Sequence, residues 1–205
     1  MFYPVKIPSI FPRLFSNYIW SLEEKKCIYL TFDDGPIPGI TEWILDILKE
    51  YNAQATFFAL GNNVEQHPAI YQRIIDEGHA AGNHTYDHKN GWNTSLEDYE
   101  ESVKRGEGFI SSSLFRPPYG KIRPRQAKMV ERLGYKVVMW SLMPGDFDVN
   151  LSNEKCWTNV ETNMHDGPVI VLHDSLKAEE KVRYVLPRIL KKYKEQGYTF
   201  KKIAL

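Results

Sequence analysis

Between residues 27 and 203 the chain alternates short β-rich runs with longer helical patterns, and no other feature constrains the fold as tightly. The first apolar run is 27–32, followed at 41–52 by Trp43, Ile44, Ile47, Leu48 and Tyr51 at helical spacing, with Thr41 as the expected N-cap. Further strands are expected at 55–60, 79–82, 114–117, 136–141, 169–172 and 198–203. Helices are expected at 68–77, 95–110, 123–133, 152–164 and 179–196. Ser95 and Asp98 are spaced like a capping box, and Pro187 should kink or break the last helix. Strands that alternate with helices predict a parallel sheet with helical crossovers, and periodicity leaves open whether that sheet is open or closed.

Composition narrows the function classes. The 205 residues carry 26 Lys and Arg against 26 Asp and Glu, a net charge of zero, without the basic excess of a duplex-binding module. No nucleic-acid partner is expected, and no protein partner is evident. With 42% apolar and 25% charged residues the composition is that of a globular domain. No apolar run approaches the roughly 20 residues that span a bilayer. Cys27 and Cys156 are expected as two reduced thiols. Residues 1–26 read as an N-terminal arm packed on a single domain, 27–205. The arm is aromatic and interrupted by Pro, and it lacks the apolar stretch and cleavage site of a secretory signal, so the expectation for location leans to the cytoplasm.

The unusual polar residues gather at strand ends. Asp33 and Asp34 follow the first strand, His84 and His88 the third, Arg116 closes the fourth, Asp146 lies beyond the fifth and His173 ends the sixth. In parallel α/β folds the loops after strand C-termini share one rim, and sites are built there from several strands. His84 and His88 stand four apart, so one helical turn would aim both at a single point, a spacing that suits zinc. Two His and one Asp leave coordination positions open for water and substrate. The pair Asp33-Asp34 can divide its labour, one carboxylate on the metal and the other free to take a proton, or it can simply terminate a strand in a turn. His79 and His165 read as structural, and His67 as a surface residue.

Thr31-Phe-Asp-Asp-Gly-Pro36, His84-Thr-Tyr-Asp-His88, Arg116-Pro-Pro-Tyr119 and Val171-Leu-His173 stand in order at suitable separations. Together they resemble the polysaccharide deacetylases of the NodB-homology group, carbohydrate esterase family four, over roughly residues 27–203. The resemblance implies an α/β fold, a distorted (β/α)7 barrel similar to a TIM barrel. It implies a divalent metal, zinc first and Co2+, Mn2+ or Ni2+ as alternatives, held by Asp34, His84 and His88. The implied reaction removes N-acetyl groups from N-acetylglucosamine-type units of a glycan such as peptidoglycan or a chitin-like oligosaccharide. Asp33 would be the base, Arg116 its partner, and His173 the acid. The backbone N–H of Tyr119, with Pro118 before it, would serve the oxyanion.

One stretch departs from the family pattern of two Asp three apart followed by Trp. Here Met143-Pro-Gly-Asp146-Phe147 places Met143 at the first Asp and Phe147 at the Trp that lines the acetyl pocket. Asp146 keeps the carboxylate expected to orient His173, with Asp148 as the alternative. Leu172 and Trp140 are further wall candidates, and Trp92 can stack on a sugar ring. An acetyl-ester hydrolase acting on a glycan such as xylan would use the same residues. A catalytically silent carbohydrate-binding domain would need one of them lost.

Overall fold

A computed structural model describes residues 3–204, so Met1, Phe2 and Leu205 at the ends of the arm and the domain lie outside the described residues. In chain order its elements are α1 (Ile10–Leu14), β1 (Cys27–Asp33), α2 (Ile40–Glu50), β2 (Ala55–Ala59), α3 (Gly61–Gln66), α4 (Pro68–Asp76), β3 (Ala80–Asn83) and α5 (Leu96–Glu107). There follow β4 (Leu114–Phe115), α6 (Pro124–Arg132), β5 (Lys136–Val137), α7 (Asn153–Asn163), β6 (Val169–His173), α8 (Glu179–Glu195) and β7 (Thr199–Phe200). Every strand pair is parallel, in the order β5-β4-β3-β2-β1-β6. β7 pairs with β1 at Cys27 and Ile28, and its Phe200 carbonyl accepts from Gln54 N at 3.1 Å, just before β2. The sheet closes where Leu142 bridges Ile170: Ser141 N donates to Val169 O and Val171 N to Leu142 O, both at 3.0 Å. This is a distorted (β/α)7 barrel.

Alternation along the strands sorts side chains to the two faces. On β1, Ile28, Leu30 and Phe32 join the main core beneath α2, α7 and α8, together with Ile170 and Leu172 of β6. Cys27 and Tyr29 face the barrel interior with Phe58, Val138 and Val169. Continuing that inner face places Thr31, Asp33, Val171 and His173 in one layer at the C-terminal mouth. The pairing of Asp33 with His173 in the β1–β6 register sets them side by side.

The arm completes the wall beside β5. Lys6 forms an antiparallel bridge with Leu142, and Ile19 a parallel bridge with Val138. This explains why the expected strand 136–141 is a regular ladder only over Lys136–Val137: Val138 N still reaches Phe115 O, and from Met139 on the backbone bonds to the arm and to β6. Trp20 packs in a second core with Tyr99, Phe115 and Val137.

Other expectations shift for local reasons. Gly39, not Thr41, precedes α2, and the Thr41 hydroxyl accepts from Ile37 N at 2.8 Å while donating to Asp174 Oδ2 at 2.7 Å. α3 is short and polar, GNNVEQ, and carries too little periodicity to be read from sequence. Ser95 does cap α5, accepting from Asp98 N at 3.0 Å. α8 runs through Pro187 as one element, because buried Val182, Val185, Leu186, Ile189 and Leu190 anchor it on both sides of the proline. Both cysteines are free and buried.

Candidate active site

The turn after β1 is shaped by side chains that pull in its backbone. Asp34 takes a left-handed φ of 85°. Asn63 Nδ2 donates to Asp34 O at 2.7 Å, and Gly35 N donates to Asp174 Oδ1 at 2.9 Å. A β-carbon at Gly35 would stand 1.8 Å from Asp174 Oδ2, so only glycine fits against this buried carboxyl. Burial pushes Asp174 up to about 8. Nothing in its sequence neighbourhood separates Asp174 from an ordinary residue after His173, and it was not anticipated.

His84 and His88 do not lie on a helical turn. Thr85 and His88 take left-handed φ values of 68° and 58°, and Asn83 Oδ1 accepts from Thr85 N at 2.8 Å. Asn83 is itself fixed by bonds from its Nδ2 to Val103 O and Tyr135 Oη, both 3.0 Å. The loop delivers what the helical spacing promised by another route, with His84 Nε2 3.8 Å and His88 Nε2 3.3 Å from Asp34 Oδ1.

The donor set fits a divalent metal. Asp34 Oδ1 is buried with no hydrogen-bond donor among the described residues, and the three ligand atoms lie within 4.8 Å of one another. Donors around a tetrahedral ion at about 2.0–2.1 Å stand about 3.3 Å apart, close to this spacing. His84 Nδ1 lies 2.8 Å from Arg116 O, which assigns the proton to Nδ1 and leaves Nε2 with a lone pair that could hold a cation. Burial, then the neighbouring His88, hold His84 well below its ordinary value, so it stays neutral.

Beside this cluster lie two charged pairs. Arg116 Nη1 donates to Asp33 Oδ1 at 2.6 Å and to Thr31 Oγ1 at 2.7 Å. Its Nε and Nη2 donate to Val138 O at 3.1 Å and Met139 O at 2.8 Å, and its guanidinium lies 4.0 Å from the Phe58 ring centre. These bonds satisfy a fully buried cation and fix the Asp33 carboxylate. Burial still pushes Asp33 up, against the pull of Arg116.

Asp146, fully buried, grips His173 twice: Oδ2 accepts from the backbone N at 2.7 Å, and Oδ1 lies 3.1 Å from Nδ1. Burial opposes charge on this ring, yet Asp146, with Asp34 and Asp33, outweighs it and raises His173 to about 10. Asp148 is turned elsewhere, accepting from Tyr3 Oη at 3.2 Å.

Asp33, Asp34, His84, His88 and His173 line one cleft of about 470 Å3 with Tyr119, Trp140, Met143, Phe147 and Val171, while Arg116 and Asp146 support it from full burial. Tyr119 sits in a single 3-10 turn, Pro118–Gly120, at φ 60°, with its ring centre 4.5 Å from that of His88. Phe147 meets His173 edge-on at 5.3 Å. Three anticipated site residues fall outside the cleft. Leu172 points into the main core because strand alternation gives Val171 the site face. Pro118 is buried beside Tyr119 without lining the cleft. Trp92 is 56% exposed beyond its edge, where Lys121, which does line the cleft, holds its ammonium 5.1 Å from the indole centre. His79 accepts a bond from Ala55 N at 3.2 Å, and His165 bridges Asn163 O and Ser141 Oγ, both away from the cleft. Tyr3 was not anticipated, since residue 3 reaches the site only through the arm's pairing.

Comparison with known proteins agrees with this geometry. The family model described as polysaccharide deacetylase matches residues 22–138. A peptidoglycan-N-acetylglucosamine deacetylase of Bacillus cereus is 36% identical over 182 residues, covering 86% of this chain and 85% of that protein. A chitooligosaccharide deacetylase of Azorhizobium caulinodans is 34% identical over 171 residues, covering 77% and 78%. The crystal structure of a peptidoglycan N-acetylglucosamine deacetylase in complex with 4-naphthalen-1-yl-N-oxidanyl-benzamide superposes with a TM-score of 0.87 at 32% identity, covering 96% of this chain and 95% of that one. The chain belongs to the polysaccharide deacetylase family, in the NodB-homology group of carbohydrate esterase family four.

Proposed function

We propose that this glycan deacetylase hydrolyses the N-acetyl amide of N-acetylglucosamine units in a metal-dependent reaction run by Asp33 and His173. The observation that carries the reading is one cleft holding an unpaired Asp34 oxygen between two imidazoles, with the Asp33–Arg116 and His173–Asp146 pairs beside it. Asp34, His84 and His88 would hold the ion, zinc by its nitrogen and oxygen donors or otherwise Co2+, Mn2+ or Ni2+. When bound, the ion supplies Lewis-acid polarisation of the acetyl carbonyl and lowers the pKa of water.

Asp33, ionised and aimed by Arg116, takes a proton from water as its oxygen bonds to the acetyl carbon. The Tyr119 backbone N–H helps hold the charge that develops on the carbonyl oxygen. His173, kept protonated by Asp146, gives its proton to the sugar nitrogen as the C–N bond breaks. Acetate and a free amine leave. Phe147 and Val171 offer apolar surface beside His173 for the acetyl methyl group.

Acetate release from N-acetylglucosamine oligomers, peptidoglycan and acetylated xylan, each with and without chelator, tests this reading. Release from an N-acetylated glycan, lost in chelator and restored by zinc, is expected. Release from xylan alone would reassign the bond to an ester, and release that persists in chelator would overturn metal dependence.

A further inference from the structure

We infer that Tyr3 of the N-terminal arm is a specificity-determining residue that limits the length of acyl group the cleft accepts. The inference rests on the acyl-amide reading of the site. It starts from backbone: Met143 N donates to Val5 O at 2.8 Å and Ile7 N to Ser141 O at 3.0 Å, so the arm runs as a strap along the segment that leads to Asp146 and Phe147. Two residues further out, the Tyr3 ring packs on Phe147 with centres 5.0 Å apart, and Phe147 in turn meets His173 edge-on at 5.3 Å. Its hydroxyl donates to Asp148 Oδ2 at 3.2 Å, and both Tyr3 and Phe147 line the cleft.

The fit is built from both sides. A β-carbon at Gly145 would stand 2.4 Å from Tyr3 Oη, so glycine there leaves the space that the tyrosine fills. Burial, with Asp148 alongside, pushes the Tyr3 phenol up to about 12, so the hydroxyl remains a donor across the working pH range. Asp148 N in turn donates to Gly145 O at 3.0 Å, and Asn150 N to Asp148 Oδ1 at 3.0 Å, so the loop that anchors the tyrosine is itself tied. An acyl chain running along Phe147 past His173 meets a fixed aromatic ring. Rejection of an added methylene by such a wall is worth roughly 10–200-fold.

Alkyl hydroxamates probe the wall without turnover, because the hydroxamate head chelates the ion and the tail takes the acyl position. Calorimetry on zinc-loaded protein compares acetohydroxamate with butyrohydroxamate in wild type, Tyr3→Phe and Tyr3→Ala. The Kd ratio, butyro over aceto, should fall by about tenfold or more in Tyr3→Ala and stay near wild type in Tyr3→Phe, which keeps the ring. An unchanged ratio in Tyr3→Ala, or an equal fall in Tyr3→Phe, overturns the inference. The arm's backbone bonds at Val5 and Ile7 do not involve the Tyr3 side chain, and unchanged thermal melting of both variants checks that the fold is kept. Wild type that binds hydroxamates yet releases no acetate would defeat the deacetylation reading while leaving this ratio interpretable.

Discussion

At the residue scale, the sequence favours Asp146 over Asp148 as the partner of His173, and their surroundings separate the two. Asp146 is buried against the backbone N and the ring Nδ1 of His173, whereas Asp148 is committed to Tyr3 and Asn150. Asp146→Asn is therefore expected to lower kcat by about 10²-fold or more, since His173, the proposed acid, loses its orienting charge, and Asp148→Asn far less. Steady-state rates of the two variants check this, and equal or reversed losses would sink the assignment. His79 carries a separate, structural expectation. Burial pushes it down to about 4, and its Nδ1 must stay unprotonated to accept from Ala55 N. Unfolded, the ring titrates near 6.5, so between about pH 4 and 6.5 the unfolded chain binds more protons and stability rises with pH. The contribution, on the order of 3 kcal/mol, is present in full above about 6.5 and lost as pH falls through 4. Denaturant titrations at pH 4.5 and 7 should show a smaller pH difference for His79→Phe than for wild type; an identical difference would contradict it.

At the element scale, the residues most legible in the sequence were those at strand C-termini, because a hydrophobic run that ends in Asp, His or Arg marks a rim position whatever the loop beyond it does. Asp33, His84, Arg116 and His173 were placed this way. Less legible was anything set by the face of a strand or by a turn's backbone. Leu172, expected at the wall, faces the core because Val171 and His173 share the inner face, and the His84–His88 spacing points to a helix where left-handed residues make a loop. Pro187 shows local propensity losing to packing, as five buried aliphatic neighbours keep α8 whole. A proline inside a continuous helix still costs a hydrogen bond and crowds the preceding turn. Pro187→Ala should therefore stabilise the protein by about 1–3 kcal/mol in chemical denaturation. A destabilised variant would show that the ring's own packing outweighs the missing bond.

At the scale of the whole molecule, the closed barrel explains how residues spread from position 3 to position 177 come to one cleft. The alternation of strands and helices announced a parallel sheet, and closure by Leu142 and Ile170 turns its rim into a cup. Contacts made by the arm were beyond sequence reasoning, because Tyr3 and Phe147 are joined only by three-dimensional pairing and carry no shared motif. The zero net charge conceals a cleft in which charges are paired: Arg116 with Asp33, His173 with Asp146, and an Asp34 oxygen left over for a cation. That leftover oxygen separates metal binding from proton transfer, and Asp33→Asn separates them experimentally. Zinc content by elemental analysis and acetate release from N-acetylglucosamine oligomers should be measured on the same Asp33→Asn preparation beside wild type. The expected result is zinc bound as in wild type with acetate release lower by about 10²–10⁴-fold. Near wild-type release from Asp33→Asn, with zinc in place, would contradict the assignment of Asp33 as the base.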